Sequence, residues 1–314
     1  MSHARMHDDE LVVDEDLVRA LLREQLPHLA HLPVRRFPST GTVNAIVRLG
    51  DDLYVRLPRV PYWADDLVKE LEWLPHLAPS LPLAVPEPVA AGRPSDTFPL
   101  AWAVFRWVPG SPYAVGSVDE VRAARSLARF VSALRRVPVP DGAPPGGRAP
   151  LAQLDAATRD ALERSRHLLD TDAALVAWDR ALDAPGFDAE AEHRVWLHGD
   201  LLPPNVLVDG GELAAVLDFG SLGAGDPAAD TIAAWTMFTR PGRTAYREAL
   251  GVDDATWERA RGYALTQAAL IVPYYEHTNP AFSAMARRTV AMVVEDVEDV
   301  EDVGNVLSQR DSAR

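Results

Sequence analysis

The stretch that decides the fold is residues 195–230, which read VWLHGDLLPPNVLVDGGELAAVLDFGSLGAGDPAAD. Two apolar runs flank an Asp-Gly-Gly turn, and such pairs supply the positive φ angles that a tight β-hairpin needs. A hairpin brings its two ends side by side, so Asn205 at its start and Asp218 at its end are expected to lie together. Asp200, five residues before Asn205, is expected to lie near both. Three side chains with oxygen atoms would then face one another at the open end of the hairpin.

This convergence suits phosphoryl transfer. Magnesium ions prefer a few carboxylate or amide oxygens together with phosphate oxygens, and the reaction needs a carboxylate that orients the attacking hydroxyl and accepts its proton. Asp-x-x-x-x-Asn followed by Asp-Phe-Gly is the catalytic-loop pattern of kinases. The alternative is an ordinary hairpin with capping acids and a structural histidine. The joint spacing, with a strand-like run ahead of Asp200, favours the catalytic interpretation.

The same residues carry a family resemblance. His198-Gly199-Asp200 with Asn205 five residues later, and then Asp218-Phe-Gly, resembles the signature of the aminoglycoside phosphotransferase family of small-molecule kinases. The resemblance implies a protein-kinase-like fold, Asp200 as catalytic base, Asn205 and Asp218 as ligands of Mg²⁺, and ATP or GTP as co-substrate. It covers residues 15–290, although only the second half carries strong motifs.

Three further polar residues of this stretch are predicted to have structural roles. His198 is expected to brace the catalytic loop by hydrogen bonding and not to transfer protons. The family's following acidic pair is present as Asp226 and Asp230. We expect these two to act as a helix N-cap and a loop brace.

The predicted fold class is α+β, with two lobes. At 314 residues the chain exceeds one average domain. We expect an N-terminal lobe over residues 1–105, built from a small antiparallel sheet and one main helix. A mainly helical catalytic and acceptor-binding lobe would follow over residues 106–300, with an acidic, polar tail over residues 301–314.

Composition excludes several other classes of function. The formal net charge is −15, which argues against non-specific nucleic-acid binding because that needs a basic surface. The absence of cysteine excludes disulfides, thiolate chemistry and Cys-ligated zinc. No apolar run is long enough to span a membrane and no signal peptide is evident, so a cytoplasmic protein is expected. The negative net charge is compatible with a cationic acceptor.

The basic residues restrict how the chain could bind phosphate. Lys69 is the one lysine among 31 Lys and Arg residues, and no Gly-Lys-Ser/Thr sequence is present, so this is not a P-loop enzyme. In the third-strand slot, where kinases place a lysine, the chain has Arg56. An arginine keeps the charge and can grip phosphate through two donors. We predict that Arg56 positions the nucleotide phosphates, with Arg59 as the alternative cation.

A helix over residues 65–78 would supply the partner of Arg56. At about 100° per residue, Glu70 falls beside the apolar stripe of this helix, whereas Lys69 lies nearly opposite it. Glu70 is therefore the predicted partner, and a boundary surface charge is the alternative interpretation.

The rest of the nucleotide site has weaker signals. Ser39, Thr40 and Gly41 precede the second strand, where a kinase folds a loop over the phosphates, although the kinase Gly-x-Gly-x-x-Gly is absent. A plain hairpin is the alternative there. Phe105 and Trp107 mark the expected hinge, whose backbone would read the nucleotide base, unless these aromatic residues simply belong to the core.

The acceptor is predicted to be a small molecule. Asp226 follows Asp218 by only eight positions, whereas a protein kinase carries a much longer activation segment. By resemblance, late helices build the acceptor site, and Trp235, Tyr275 and Glu276 are the candidates. Aromatic rings can pack a sugar-like ring and an acid can pair with an ammonium. Structural packing where residues 273–280 interrupt the helices is the alternative interpretation.

Remaining patterns complete the prediction. A capping box at residues 117–120 is expected to open a helix that ends near residue 137. A Pro/Gly-rich loop follows over residues 138–150. The three-residue acidic repeat of residues 294–302 favours a frayed, solvated tail.

Two rival functions stay open: a kinase of an ordinary metabolite such as an amino sugar or amino alcohol, and a non-catalytic pseudokinase.

Overall fold

The computed structural model describes residues 11–37, 43–189 and 193–311, with side chains described up to residue 298. The N-terminal part contains a five-stranded antiparallel sheet of order β1-β2-β3-β5-β4. Its strands are β1 (Val34–Arg36), β2 (Asn44–Leu49), β3 (Leu53–Pro58), β4 (Pro88–Gly92) and β5 (Trp102–Arg106).

Two helices cover this sheet. Helix α1 (Glu15–Gln25) begins at Asp14, whose side chain accepts a hydrogen bond from the Leu17 amide, and its apolar face packs with the sheet's buried residues. Helix α2 (Ala64–Leu77) buries Leu67, Glu70, Leu74 and Leu77. Leu67 contacts the opposite set of sheet residues, including Phe105. A charged residue on the buried face of α2 is unusual, and it marks the site described below.

The C-terminal part is mainly helical, so the α+β class predicted from the sequence is confirmed. Its longest fully described core helix, Asp254–Tyr274 (α9), buries most of its residues and packs against several of the other helices. The helices are α3 (Glu120–Arg136), α4 (Leu151–Arg164), α5 (Thr171–Leu182), α6 (Ala228–Thr231), α7 (Ala233–Thr236), α8 (Arg240–Leu250), α9 (Asp254–Tyr274) and α10 (Pro280–Asp311).

Short strands of this part hold the deciding stretch. The hairpin forms as predicted, from β8 (Val206–Asp209) and β9 (Glu212–Val216), and β6 (Ser111–Pro112) pairs with its first strand. Strand β7 (Val195–Leu197) pairs with β10 (Gly223–Gly225). The predicted catalytic loop, residues 198–205, therefore follows a strand at one end and leads into the hairpin at the other.

The predicted capping box is wrong in its residues. The N-cap of α3 is Asp119, whose side chain accepts from the Arg122 amide at 2.9 Å, while the Ser117 hydroxyl bonds within its own turn. Glu120 does not complete a box, because its carboxylate accepts from the Thr239 amide at 2.6 Å. Long-range contact with the start of α8 outcompetes the local capping pattern.

The predicted break between the last two helices is present, but Pro273, predicted to begin it, lies inside the last turn of α9. The helix continues to Tyr274, and the amide of Tyr275 still donates to the Ile271 carbonyl at 3.0 Å. A proline removes only its own amide bond and clashes with one carbonyl, and a position in the last turn limits that cost.

The acidic repeat is not frayed over its first turns. Helix α10 runs through it, and Val297 is 4% exposed. Asp296 pairs with Arg243 at 3.0 Å and with Arg261 at 2.9 Å. Buried arginines of α8 and α9 thus fix one carboxylate of a segment whose composition alone indicates a solvated tail.

Candidate active site

Asp230, in the short helix α6 after the hairpin, binds the backbone of the predicted catalytic loop. Its two carboxylate oxygens accept from the amides of His198, at 2.8 Å, and Gly199, at 2.7 Å. Asp226 is bound by Arg259 through two nitrogens, at 2.9 and 3.1 Å, and accepts from the Ala228 amide. Asp230 therefore braces the loop as predicted, whereas Asp226 is not the predicted helix N-cap, because the N-cap of α6 is a proline.

His198 is fully buried and links the loop to the hairpin. Its Nδ1 accepts from the Asp200 amide at 3.1 Å, and its Nε2 lies 2.9 Å from the Leu217 carbonyl. A carbonyl can only accept, so the ring is protonated on Nε2. Both ring nitrogens are engaged in structural hydrogen bonds, which agrees with the bracing role predicted for this residue.

Gly199 cannot be replaced without moving the loop. Its φ is +83°, and a Cβ atom there would lie 2.6 Å from the carbonyl oxygen of Ser221. Backbone therefore approaches backbone at this point, which is why the loop carries glycine.

Asp200 projects from this loop with each carboxylate oxygen accepting one hydrogen bond. The amide nitrogen of Asn205 donates to Oδ2 at 3.1 Å, and that of Gln267 donates to Oδ1 at 2.8 Å. Burial raises the pKa of Asp200; Arg148 opposes that rise, and the nearby Asp218 adds to it. The geometry fits a carboxylate that receives a hydroxyl proton.

The two ends of the hairpin meet as the spacing predicts. The Leu217 amide donates to the Asn205 carbonyl at 2.7 Å, which places Asp218 beside Asn205. Asp218 adopts a left-handed conformation with φ of +62°. That conformation is costly for a residue other than glycine and concentrates at functional sites.

Arg56 of β3 connects the two lobes. Its guanidinium donates to Glu70 of α2 at 2.7 Å and to Asp218 at 2.9 Å. Arg56 is 4% exposed and Glu70 is fully buried. Burial alone would lower the pKa of Arg56, but Glu70 and Asp218 outweigh it and the pKa is raised. Burial raises the pKa of Glu70 against the pull of Arg56.

Asn205 and Asp218 have oxygens that fit a magnesium ion. The side-chain nitrogen of Asn205 faces Asp200, which leaves the side-chain oxygen of Asn205 for a metal. The Asp218 side chain is 44% exposed. The described residues contain no cluster of three or more His, Cys, Asp or Glu that could hold a metal unaided. Magnesium commonly takes one or two protein oxygens plus substrate phosphates, and this donor set fits that pattern.

Some backbone amides of the predicted hinge already donate hydrogen bonds within the N-terminal part and cannot bind a nucleotide base. The Phe105 side chain is fully buried and stacks on Tyr54, so only its backbone could meet a ligand. The Arg106 amide donates to Glu87, and the Trp107 amide donates to Asp52 at 2.7 Å. Base recognition at this point would therefore need carbonyls or later amides. Ser39, Thr40 and Gly41, the other predicted nucleotide-binding residues, lie outside the described residues.

Trp235, predicted to contact the acceptor, is instead a core residue. It is fully buried, lies against Trp257, and donates its indole N–H to Asp296 at 3.2 Å. It was a candidate because the late helices build the acceptor site in the family that the chain resembles, but α7 turns the ring toward α9 and α10.

Tyr275 and Glu276 are half-buried at the end of α9. The Tyr275 ring meets Phe282 edge-on, and Glu276 lies 2.9 Å from Nε2 of His167. The structure does not join them directly to Asp200. They lie beyond the C-terminal end of the helix that carries Gln267.

Two residues near Asp200 escaped the sequence reasoning. Gln267 is a polar residue within the apolar run of α9, a signal that could have been followed. Arg148 comes from the Pro/Gly-rich loop. Burial lowers the pKa of Arg148, and the negative charge of Asp200 opposes this more than any other carboxylate does. Nothing in that loop's composition indicates contact with the site, because only the fold brings the two together.

Fold and site together define a kinase-like phosphotransferase that acts on a hydroxyl group. The model of the phosphotransferase enzyme family, APH, matches residues 34–263. The chain belongs to this family. It is 35% identical over 191 residues to an aminoglycoside 3'-phosphotransferase of Streptomyces fradiae, which covers 57% of this chain and 68% of that protein.

Solved structures agree on the fold. The GDP and kanamycin complex of APH(2")-IIia superposes with a TM-score of 0.69 at 18% identity, over 89% of this chain and 98% of that one. The macrolide 2'-phosphotransferase MphH from Brachybacterium faecium gives 0.56 at 25% identity, over 90% and 97%. The kinase-like, two-lobed architecture predicted from the sequence is confirmed. Within the described residues, every helix is too short or too polar to cross a bilayer.

Proposed function

We propose that this chain transfers the γ-phosphoryl group of ATP or GTP, with Mg²⁺, to a hydroxyl of an aminoglycoside or similar antibiotic. The observation that carries the proposal is the arrangement around Asp200. Its carboxylate is oriented by Asn205 and Gln267, next to Asp218 at the open end of the hairpin, where the two strands begin and end. This is the layout required for positioning a hydroxyl against a metal-bound nucleotide.

Each residue has a defined task in the proposed reaction. Asp200 orients the acceptor hydroxyl and accepts its proton as the oxygen attacks the γ-phosphorus. The bond between the γ-phosphorus and the β–γ bridging oxygen breaks, and ADP or GDP leaves. Arg56, braced by Glu70, positions the nucleotide phosphates. Asn205 and Asp218 would hold Mg²⁺, which when bound neutralises phosphate charge.

The remaining predicted contacts complete the proposed site. Ser39, Thr40 and Gly41 would cover the phosphates, and the backbone near Phe105 and Trp107 would meet the nucleotide base. These assignments follow from the family resemblance and from the position of each residue along the chain.

The acceptor proposal draws on the relatives. The similar proteins are named for phosphorylating aminoglycosides or macrolides, and one is a kanamycin complex. Tyr275 and Glu276 are the proposed acceptor contacts in this chain, and the Glu276 carboxylate would suit a cationic group. The intact Arg56–Glu70 pair supports a working nucleotide site and counts against a pseudokinase. We further propose that the protein acts in the cytoplasm.

The proposal is tested by measuring nucleotide consumption with ATP or GTP and Mg²⁺ against aminoglycosides, macrolides, amino sugars and amino alcohols. Turnover stimulated by an antibiotic supports it. Stimulation only by an amino sugar or amino alcohol would reassign the chain to metabolism. Binding of nucleotide without stimulation by any panel member would contradict the antibiotic assignment.

A further inference from the structure

Gln267 is the residue through which α9 reaches the catalytic carboxylate. Its Nε2 donates to Oδ1 of Asp200 at 2.8 Å, while Asn205 donates to Oδ2. One donor on each oxygen fixes the plane of the carboxylate. Each oxygen still has a second lone pair, which stays available for the hydroxyl of an acceptor.

The orientation of the Gln267 amide is decided by Asp200. Turning the amide over would place its oxygen against a carboxylate oxygen, which is repulsive, so nitrogen must face Asp200. The other end, Oε1, is buried and has no hydrogen-bond partner in the described part of the chain. Buried polar atoms are normally paired, and an exception requires an explanation.

Gln267 also begins an accessible ridge of α9. Residues three and seven positions later lie on the same side of a helix, and here they are Leu270 and Tyr274, which are 39% and 56% exposed. The ridge therefore leads from Asp200 toward Tyr275 and Glu276. A molecule whose hydroxyl reaches Asp200 and whose ring rests on this ridge passes directly over Gln267.

We propose that Gln267 is a positioning residue for Asp200 and that its Oε1 accepts a hydrogen bond from a donor group of the acceptor substrate. This inference rests on the proposed function. It adds a requirement for the acceptor: a hydroxyl or amine N–H close to the hydroxyl that is phosphorylated, and an apolar ring face beyond it.

Two substitutions separate the two roles of Gln267. Gln267→Met keeps the length of the side chain and removes both hydrogen bonds. Gln267→Glu removes the N–H donor to Asp200 and keeps an oxygen that can accept from the substrate. Gln153→Met is the matched control, because Gln153 is exposed on α4 and contributes to no site described above.

Steady-state kinetics with Mg²⁺ and nucleotide would use whichever of kanamycin and erythromycin the parent protein turns over faster. Both Gln267 variants are expected to lose about 10- to 10²-fold in kcat, since misplacing a catalytic group by about 1 Å costs this much. The KM for the acceptor should rise severalfold in Gln267→Met only. The nucleotide affinity of both variants, and the melting temperature of Gln267→Met, should match those of the control.

If neither antibiotic is turned over, nucleotide hydrolysis with water as acceptor provides the rate, and the same loss is expected in both Gln267 variants. An unchanged rate in Gln267→Met would overturn the positioning role. Equal KM increases in both variants would overturn the contact between Oε1 and the acceptor. A parallel loss of nucleotide binding and melting temperature would show a packing role, and this too overturns the proposal.

Failure of this inference is distinguishable from failure of the proposed function. If Asp200→Ala is inactive and Gln267→Met is fully active, only the inference about Gln267 fails. If Asp200→Ala retains turnover, the proposed catalytic base itself is wrong.

Discussion

At the scale of single residues, the site depends on how charges are paired across the lobes. Arg56 is held between Glu70 and Asp218, one from each lobe. The sequence predicted the Arg56–Glu70 pair because helical periodicity is a local property. It did not predict the contact of Arg56 with Asp218, which joins residues 162 positions apart.

Removing Arg56 is expected to weaken nucleotide binding and to destabilise the fold. Arg56→Met would leave the Glu70 carboxylate buried without its partner, at a cost of about 3–5 kcal/mol. The double variant Arg56→Met with Glu70→Met should regain most of the stability, because no unpaired buried charge remains, but not the nucleotide affinity. Urea unfolding and nucleotide titration measure the two effects.

The control is Arg93→Met, an exposed arginine of the small lobe for which neither effect is expected. Wild-type nucleotide kinetics in the double variant would contradict the role given to Arg56 and would move it to Arg59 or another group.

At the scale of elements, the hairpin and the Pro/Gly-rich loop were both predictable, but the position of that loop in the fold was not. Turn chemistry and apolar alternation specify the hairpin locally. The loop of residues 138–150 is instead pinned to β10: the Gly146 amide donates to the Ala224 carbonyl at 3.0 Å, and the Ala224 amide donates to Pro144 at 2.8 Å. Such tertiary contacts leave no periodic signal, so the delivery of Arg148 to Asp200 was invisible in the sequence.

Gly146→Val is expected to displace this loop. A Cβ atom at residue 146 would lie 2.4 Å from the backbone of Gly223, closer than any packing allows, so the loop or β10 must move. We expect a lower melting temperature and slower phosphoryl transfer, because Arg148 shifts relative to Asp200. Gly186→Ala is the control, since a Cβ there meets nothing within 4 Å. Unchanged stability and turnover in Gly146→Val would show that the loop is not pinned.

At the scale of the whole molecule, α10 packs against the helical lobe through buried apolar residues, and one carboxylate adds ion pairs to that contact. Asp296 accepts from Arg243 and Arg261, which are 2% and 1% exposed, and from Trp235. The role of Asp296 cannot be read from the sequence, because each Asp of the repeat has the same sequence neighbours, and so does each Glu. Only packing distinguishes Asp296, which faces the core, from Glu298, which is exposed.

Asp296→Ala should therefore destabilise the protein by about 3–5 kcal/mol, since two buried guanidinium groups lose their shared partner. Glu298→Ala, on the exposed face of the same helix, should have little effect. Urea unfolding of both variants measures the difference. Equal stability of the two would contradict the anchoring role of Asp296 and would support the solvated tail indicated by composition.

The measurement that tests the central claim most directly is acceptor-stimulated nucleotide turnover by the parent protein and by Asp200→Ala, with nucleotide binding measured alongside. If Asp200 is the base, turnover should fall by about 10²–10⁴-fold, while Mg²⁺-dependent nucleotide affinity and the melting temperature are retained. Undiminished phosphorylation by Asp200→Ala would contradict the account.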